Sequence, residues 1–144
     1  MPESHVNPDR AQFDAFKALP RDAPIEMLNL LRFRERAVYP TDHPCAAEKL
    51  TGAQAYVRYG AESGPVFARV GGRIVWSGAP LLVVTGPTDE AWDSAFVAHY
   101  PSAAAFLAMV ADPAYRDAVV HRTAAVLTSR LIRCTPRAPG AAFA

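Results

Sequence analysis

Arg122 is the residue of this sequence whose surroundings point most directly to chemistry. It falls on a helical stripe with Tyr115 and Val119, where a charged group needs a carboxylate partner or an anionic ligand. A guanidinium at such a position can bind a carboxylate or phosphate group. The alternatives are an ion pair with Asp93 or Glu90, or an aliphatic stem that covers the core while its charged end reaches water.

Asn29 is a second candidate, in the strand-like segment "PIEMLNLLRF" of residues 24–33. It alternates with Met27 and Leu31 on one side, where a buried amide without partners costs about 1–3 kcal/mol. It could orient a ligand carbonyl or hydroxyl, or bond a neighbouring loop or helix end. Arg32 points to the other side of the strand and is a further candidate for ligand contact.

Two histidines, His99 and His121, carry side chains that can act as a general base near neutral pH. His99 ends a strand-like segment on the face of Val97, and His121 falls near Ala118 and Ala125 at the edge of the buried stripe. The alternative for each is a histidine at the rim that makes one hydrogen bond, since neither has an identified catalytic partner.

Aromatic side chains could line a pocket for a flat apolar ligand, with their polar tips fixing its orientation. Tyr59 is the preferred pocket candidate because it lies off the main helical stripe. Trp76 is also a candidate for ligand contact, although Trp76 and Tyr56 both fit core positions. Tyr100 completes this aromatic set.

The segment "HPCAAE" places His43, Cys45 and Glu48 within six residues, a grouping that could be interpreted as a metal site. Its spacing matches no closed zinc pattern and four ligands are not in view, so we expect no metal. The glycines form neither a dinucleotide nor a Walker motif, and no nucleophile elbow is present. We expect no cofactor.

The composition bounds the class of protein. The chain has 144 residues, of which 51% are hydrophobic and 20% charged, with a net charge of +1; this favours one globular domain. Without a basic field we expect neither nucleic acid nor a membrane as a partner. We expect a cytoplasmic protein with two reduced thiols, because the start lacks a signal peptide and no apolar run is long enough to span a bilayer.

The helices and strands that must position these residues can be predicted from hydrophobic periodicity and from the residues that begin or end each element. Apolar alternation predicts strands, and capping residues before apolar helical stripes predict helices. The predicted order is a helix within 7–19 capped by Asn7, strand 24–33, a long loop 34–50, a helix from Thr51 that Pro65 kinks or divides, strands 73–78, 80–86 and 94–100, helices 102–110 and 112–127, and strand 129–134.

Stripped of its leading helix, this order is β-α-β-β-α-β, the ferredoxin-like α+β unit: a four-stranded, mostly antiparallel sheet with helices on one face. We expect an N-terminal extension over 1–23, one domain over 24–134 and a flexible tail over 135–144. The strands containing "MLNLL", "LLVV" and "AFVA" are apolar on both sides, and helices can cover only one face. Because large exposed apolar patches are uncommon in monomers, we expect a homodimer that pairs through the other face of the sheet.

Five segments carry a resemblance to a known family: "LNLLRF" (28–33), "TGAQAYVRYG" (51–60), "GGRIVWSG" (71–78), "YPSAAAFLAMVADPAYRDAVVHRTAA" (100–125) and "SRLIR" (129–133). They resemble domain of unknown function family 1330, within the dimeric α/β-barrel superfamily. The resemblance implies a ferredoxin-like subunit whose sheet pairs with that of a second subunit. It carries across no catalytic residue, and the N-terminal helix and the 34–50 loop depart from a minimal member.

The sequence therefore predicts a small-molecule-binding protein whose ligand is a modest, partly apolar metabolite near Asn29, Tyr59, His121 and Arg122. Superfamily relatives include cofactorless monooxygenases and isomerases, so by analogy the same pocket could support that chemistry. The alternative is a dimeric binding module without turnover, or a structural dimer with a filled core. The residues leave open whether any catalysis occurs.

Overall fold

The computed structural model describes residues 4–140 and 143. Its elements are α1 (Arg10–Ala18), β1 (Ile25–Phe33), a short 3-10 helix (Pro44–Glu48), α2 (Gly52–Arg69), β2 (Arg73–Gly78), β3 (Ser94–Tyr100), α3 (Ala103–Ala111), α4 (Pro113–Ala125) and β4 (Val126–Cys134). No helix in this part of the chain is long and apolar enough to cross a membrane.

The four strands form one sheet in the order β2-β3-β1-β4, and every neighbouring pair is antiparallel. Helix α2 connects β1 to β2, while α3 and α4 connect β3 to β4. This is the β-α-β-β-α-β arrangement of the ferredoxin-like fold. The predicted fold class is confirmed.

The alternation of buried and partly exposed residues along β1 shows on which face of the sheet the core lies. Ile25, Met27, Asn29 and Leu31 are buried, whereas the residues between them are partly exposed. Since successive side chains of a strand point to opposite faces, the buried set identifies the face that the helices cover. We call this the helix face and its opposite the open face.

The caps explain where three helices begin. The Thr51 side chain accepts from the Gln54 backbone N–H at the start of α2, as part of a capping box. The Ser102 and Asp112 side chains likewise accept from backbone N–H groups in the first turns of α3 and α4, without a capping box, so these three starts are as predicted. The first helix differs: its cap is Asp9 rather than Asn7, because Asp9 forms a capping box with Gln12.

The structure narrows one further local prediction and contradicts another. Of the two outcomes expected at Pro65, a kink or a division of the helix, the division is excluded, because α2 runs as one helix through Pro65. Residues 80–86 form no strand, and Leu81, Leu82 and Val84 are exposed. Their apolar, β-branched composition is typical of a strand, but Pro80 removes a backbone donor and the segment serves as the connection from β2 to β3.

Candidate functional site

A cavity of about 1420 Å³ lies between the helix face of the sheet and the helices. Met27, Asn29 and Ala98 line it from the sheet, and α1 with the segment before it borders it as well. Aromatic and aliphatic side chains predominate, and a few polar groups converge among them, which is typical of ligand sites. Its other lining residues include Tyr56, Tyr59, Phe67, Phe96, Tyr100, Phe106, Met109, Tyr115, Val119, Arg122 and Ser129.

Arg122 borders this cavity from the last turn of α4, and only 9% of its surface is exposed. Its guanidinium donates to the backbone carbonyl of Val6 at 2.5 Å and to the Ser129 hydroxyl at 3.4 Å. The expected alternative partners are engaged elsewhere. Glu90 lies 3.5 Å from Arg130, and the Asp93 carboxylate accepts from the Phe33 backbone N–H.

Asn29 brings an amide to the same cavity from the middle of β1. Its Nδ2 donates to the Met27 carbonyl at 3.0 Å. No residue in the described part of the chain donates to its Oδ1. The amide is therefore anchored on one side and can accept a hydrogen bond from a ligand on the other.

Tyrosines from α2 and α4 form the polar part of the aromatic wall. The hydroxyls of Tyr59 and Tyr115 lie 2.9 Å apart, and the rings of Tyr56 and Tyr59 pack with centroids 5.2 Å apart. The pKa values of Tyr56, Tyr100 and Tyr115 lie above the ordinary tyrosine value, mainly because these side chains are buried and secondly because Tyr59 is nearby. These phenols stay protonated at neutral pH and can donate hydrogen bonds into the cavity.

His121 does not line the cavity; it contacts a separate polar cluster beneath the 34–50 loop. Its Nε2 lies 2.6 Å from the Glu62 carboxylate, and its Nδ1 lies 2.6 Å from the Tyr39 hydroxyl. A carboxylate can only accept, so Nε2 carries a proton, and in the neutral imidazole Nδ1 accepts from Tyr39. Burial raises the pKa of Tyr39, which keeps it a donor. The His43 ring stacks on the Tyr39 ring, with the two ring centroids 4.9 Å apart.

Replacing Tyr39 by Phe should destabilise the protein by about 1–3 kcal/mol, because the buried Nδ1 of His121 loses its partner. Denaturant unfolding of the Tyr39→Phe variant measures this. Tyr56→Phe is the matched control, since within the described residues the Tyr56 hydroxyl makes no hydrogen bond. Equal stability of the two variants would contradict the assignment of this cluster as a structural anchor for the loop.

Cys45 and Glu48 meet Arg58 of α2 on the outer side of the same loop. The Arg58 guanidinium donates two hydrogen bonds of 2.7 Å to the Glu48 carboxylate, and one to the Cys45 sulfur at 3.1 Å. The bonds from Arg58, and secondarily from Cys45, lower the pKa of Glu48 to about 2. Arg58 thus holds Cys45 and Glu48, two of the three residues that could suggest a metal site, while the His43 Nδ1 accepts from the Cys45 backbone N–H.

The Glu48 pKa gives a pH prediction. Because the folded value of about 2 lies below the ordinary 4.5, the pair stabilises the fold above about pH 4.5, and this contribution is lost as the pH falls towards 2. Carboxyl ¹³C NMR titration should show the low pKa. Arg58→Met should return it towards 4.5, whereas Arg36→Met, which removes an arginine bonded to the Lys49 carbonyl of the same loop, should not.

Arg32, Trp76 and His99 lie away from the cavity. The pairing register places all three on the open face, because Arg32 shares its side of β1 with Leu28, and Trp76 pairs with Val97. Trp76 is 54% exposed rather than a core residue. His99 Nδ1 lies 3.2 Å from the Glu26 carboxylate. The structure therefore brings together Asn29, Tyr59 and Arg122, and it separates the remaining predicted residues from them.

Sequence reasoning missed several residues that complete the site. Ser129 accepts from Arg122 and donates to the His5 carbonyl at 2.8 Å. Val6 reaches Arg122 from a distant part of the chain. Tyr115 stood on the predicted apolar stripe, where its helical position signalled burial but not its partnership with Tyr59. No local pattern marks the N-terminal contacts.

The fold and the cavity define a ferredoxin-like α+β domain with an aromatic, arginine-bearing chamber between its sheet and its helices. A family model described as "Domain of unknown function (DUF1330)" matches residues 45–133, more than half of the chain. The chain belongs to this family, as the sequence resemblance predicted.

Two solved structures are similar to the chain over almost its full length. A protein of unknown function from Rhodopseudomonas palustris, a structural genomics target, is 51% identical, with a TM-score of 0.87, over 95% of this chain and 100% of that one. The methylated form of that protein gives 51% identity and a TM-score of 0.88, over 95% of this chain and 98% of the other. No curated protein matches the chain.

Proposed function

We propose that this protein binds a small, partly apolar metabolite in the cavity between the sheet and the helices. The observation that carries the proposal is the cavity itself, at about 1420 Å³, with apolar walls and the polar groups of Asn29, Tyr59 and Arg122. An amide, a phenol and a guanidinium on otherwise apolar walls can fix the orientation of a ligand. A purely structural dimer would instead fill this space with side chains.

Turnover of the same ligand is the second candidate function, in the manner of a cofactorless isomerase or monooxygenase. The Tyr59–Tyr115 hydroxyl pair favours it, because a buried protonated phenol can donate a proton or hydrogen bond to a developing oxyanion. A candidate base is harder to find. Two described lining residues could serve as one: Asp9, the one carboxylate, already caps α1. His5 is exposed, and its described hydrogen bonds to Thr128 and Ser129 are made by its backbone. Binding is therefore the better-supported function.

A thermal-shift screen of aromatic acids, quinones and lactones tests binding. A ligand at 100 times its dissociation constant should add roughly 2.7 kcal/mol of stability and raise the melting temperature by several degrees. Ala98→Phe, which places a ring on the cavity side of β3, should abolish the shift.

The matched control is Ala108→Phe, at an exposed position of α3 that does not border the cavity. It should keep the full shift. The proposal fails if no compound stabilises the wild-type protein, or if Ala98→Phe and Ala108→Phe respond alike to every compound that does.

We further propose that two copies pair through the open face of the sheet. This face carries Leu28, Leu30 and Val97, and Trp76 and Ile132, each about half exposed, lie to either side of them. Apolar surface of this kind favours association. Light scattering at micromolar concentration should give twice the chain mass of 15.6 kDa, and the mass of a single chain would contradict the proposal.

A further inference from the structure

The cavity also indicates the class of its ligand, an inference that depends on the proposed binding function. We infer that the ligand is a monocarboxylic acid with an apolar or aromatic body, and that Arg122 receives its carboxylate. Three features of the cavity carry this inference: a buried cation without an anionic partner, an excess of arginines around it, and a wall suited to an apolar body.

Arg122 is a buried charge without a counter-ion. More than nine-tenths of the residue is buried, and no carboxylate of a described residue lies within 4.0 Å of its guanidinium. Its bonds to Val6 and Ser129 use two of five N–H donors and reach only neutral oxygens. A buried arginine normally has an ionised partner because desolvation of a lone charge is costly. A ligand carboxylate supplies that partner.

The charges around the cavity favour an anion. Its described lining contains five arginines and one acidic residue, Asp9. Arg10 and Arg130 lie within 4.0 Å of the carboxylates of Asp14 and Glu90, and the other three arginines still outnumber Asp9. The chain as a whole has a net charge of only +1, so the excess is local. A cleft lined by one sign of charge with apolar walls concentrates ligands of the opposite sign. The arginines are Arg10, Arg116, Arg122, Arg130 and Arg133.

A carboxylate fits this position better than a phosphate. Arg122 lies in the last turn of α4, where the helix dipole is negative and opposes a dianion. Phosphate sites usually offer several backbone N–H groups at a helix N-terminus, whereas the described partners of the Arg122 guanidinium are a carbonyl and a hydroxyl. A single guanidinium fork is enough for the two oxygens of a carboxylate. The body of the acid would contact Met27, Phe67 and Phe96, which also line the cavity.

Isothermal titration with a matched pair of probes, 3-phenylpropanoate and 3-phenylpropanamide, tests the inference. The wild-type protein should bind the acid at least about 10-fold more tightly than the amide, since hydrogen bonds between ionised groups are about twice as strong as neutral ones. Arg122→Met should remove this preference, and Arg122→Lys, which keeps the charge but loses the fork, should retain part of it.

Arg133→Met is the matched control. Arg133 also borders the cavity and donates to backbone carbonyls, those of Phe16 and Pro20, but it is not the proposed carboxylate partner. It should keep the preference for the acid. If Arg122→Met does not fold, Arg122→Gln replaces it, since its amide can still donate to Val6 or Ser129 but carries no charge; a full preference for the acid in Arg122→Gln would overturn the inference.

The outcomes separate the inference from the function on which it depends. Equal affinity for acid and amide in the wild-type protein would overturn the carboxylate while leaving cavity binding in place. An equal loss of preference in Arg122→Met and Arg133→Met would overturn the assignment to Arg122. Failure of both probes to bind the wild-type protein at millimolar concentration, together with an empty thermal-shift screen, would contradict the proposed function itself.

Discussion

Gly52→Ala should destabilise the protein by about 3 kcal/mol or more, the upper end of what overpacking costs. A Cβ at Gly52 would lie 2.2 Å from the Arg34 carbonyl oxygen and 2.7 Å from the Ala125 carbonyl oxygen. Both are backbone atoms, which a rotamer change cannot move. At this junction the Gly52 N–H donates to the Arg34 carbonyl, and the Arg34 N–H donates to the Ala125 carbonyl. To make room for the added Cβ, the end of β1, the start of α2 and the end of α4 would have to separate.

Gly60→Ala provides the matched control in the same helix. A Cβ at Gly60 meets no atom within 4 Å, and alanine is favoured over glycine inside a helix by roughly 0.5–1 kcal/mol. This variant should be slightly more stable than the wild-type protein. Urea unfolding compares the two, and a Gly52→Ala variant as stable as Gly60→Ala would contradict the described approach of the three segments.

The junction at Gly52 also positions the cavity. Tyr56 and Tyr59 follow it by about one and two turns of α2, and Arg122 precedes Ala125 by one turn of α4. Because α2 and α4 share this contact, the hydroxyls on α2 and the guanidinium on α4 keep a fixed separation. Displacement of the junction would therefore weaken ligand binding as well as the fold.

Val97→Glu should convert the proposed dimer into a monomer. Val97 lies on the open face, where it is paired with Leu28 on one side and Trp76 on the other. A carboxylate buried there without a partner costs several kcal/mol, which corresponds to a loss of more than about 100-fold in the association constant. Sedimentation over a range of concentrations measures the change.

Val57→Glu is the control for this prediction. Val57 is 71% exposed on α2, away from the open face, so its substitution adds the same charge without entering the interface. It should leave the association constant unchanged. Dimers of equal strength in the Val97→Glu and Val57→Glu variants would show that the subunits pair through some other surface.

Much of the architecture was predictable because it depends on local patterns. The alternation around Asn29 fixed the helix face of β1, and Thr51, Ser102 and Asp112 marked the helix starts, since a cap acts within one turn. The 80–86 segment shows the limit of such patterns. Its composition favours a strand, but a strand also needs a neighbouring edge, which composition does not describe.

The candidate site was predictable only in part, because its partners are distant in sequence. The helical stripe predicted that Arg122 is buried at an apolar face, yet Val6 meets it across 116 positions of the chain. Tyr39 reaches His121 across 82 positions. Periodicity identifies a buried face but cannot identify what another element brings to it, so His121 was grouped with Arg122 although the two side chains serve different clusters.

The most direct test of the central claim is a ¹³C-methyl methionine spectrum recorded during titration with a fragment library. Met27 and Met109 both line the cavity, from the sheet and from α3, so each methyl group reports on its occupancy. The proposed function predicts that binding fragments, acids foremost, shift both signals, and that Ala98→Phe suppresses the shifts. Fragments that bind while leaving both methyl signals unmoved, or a library without any binder, would contradict it.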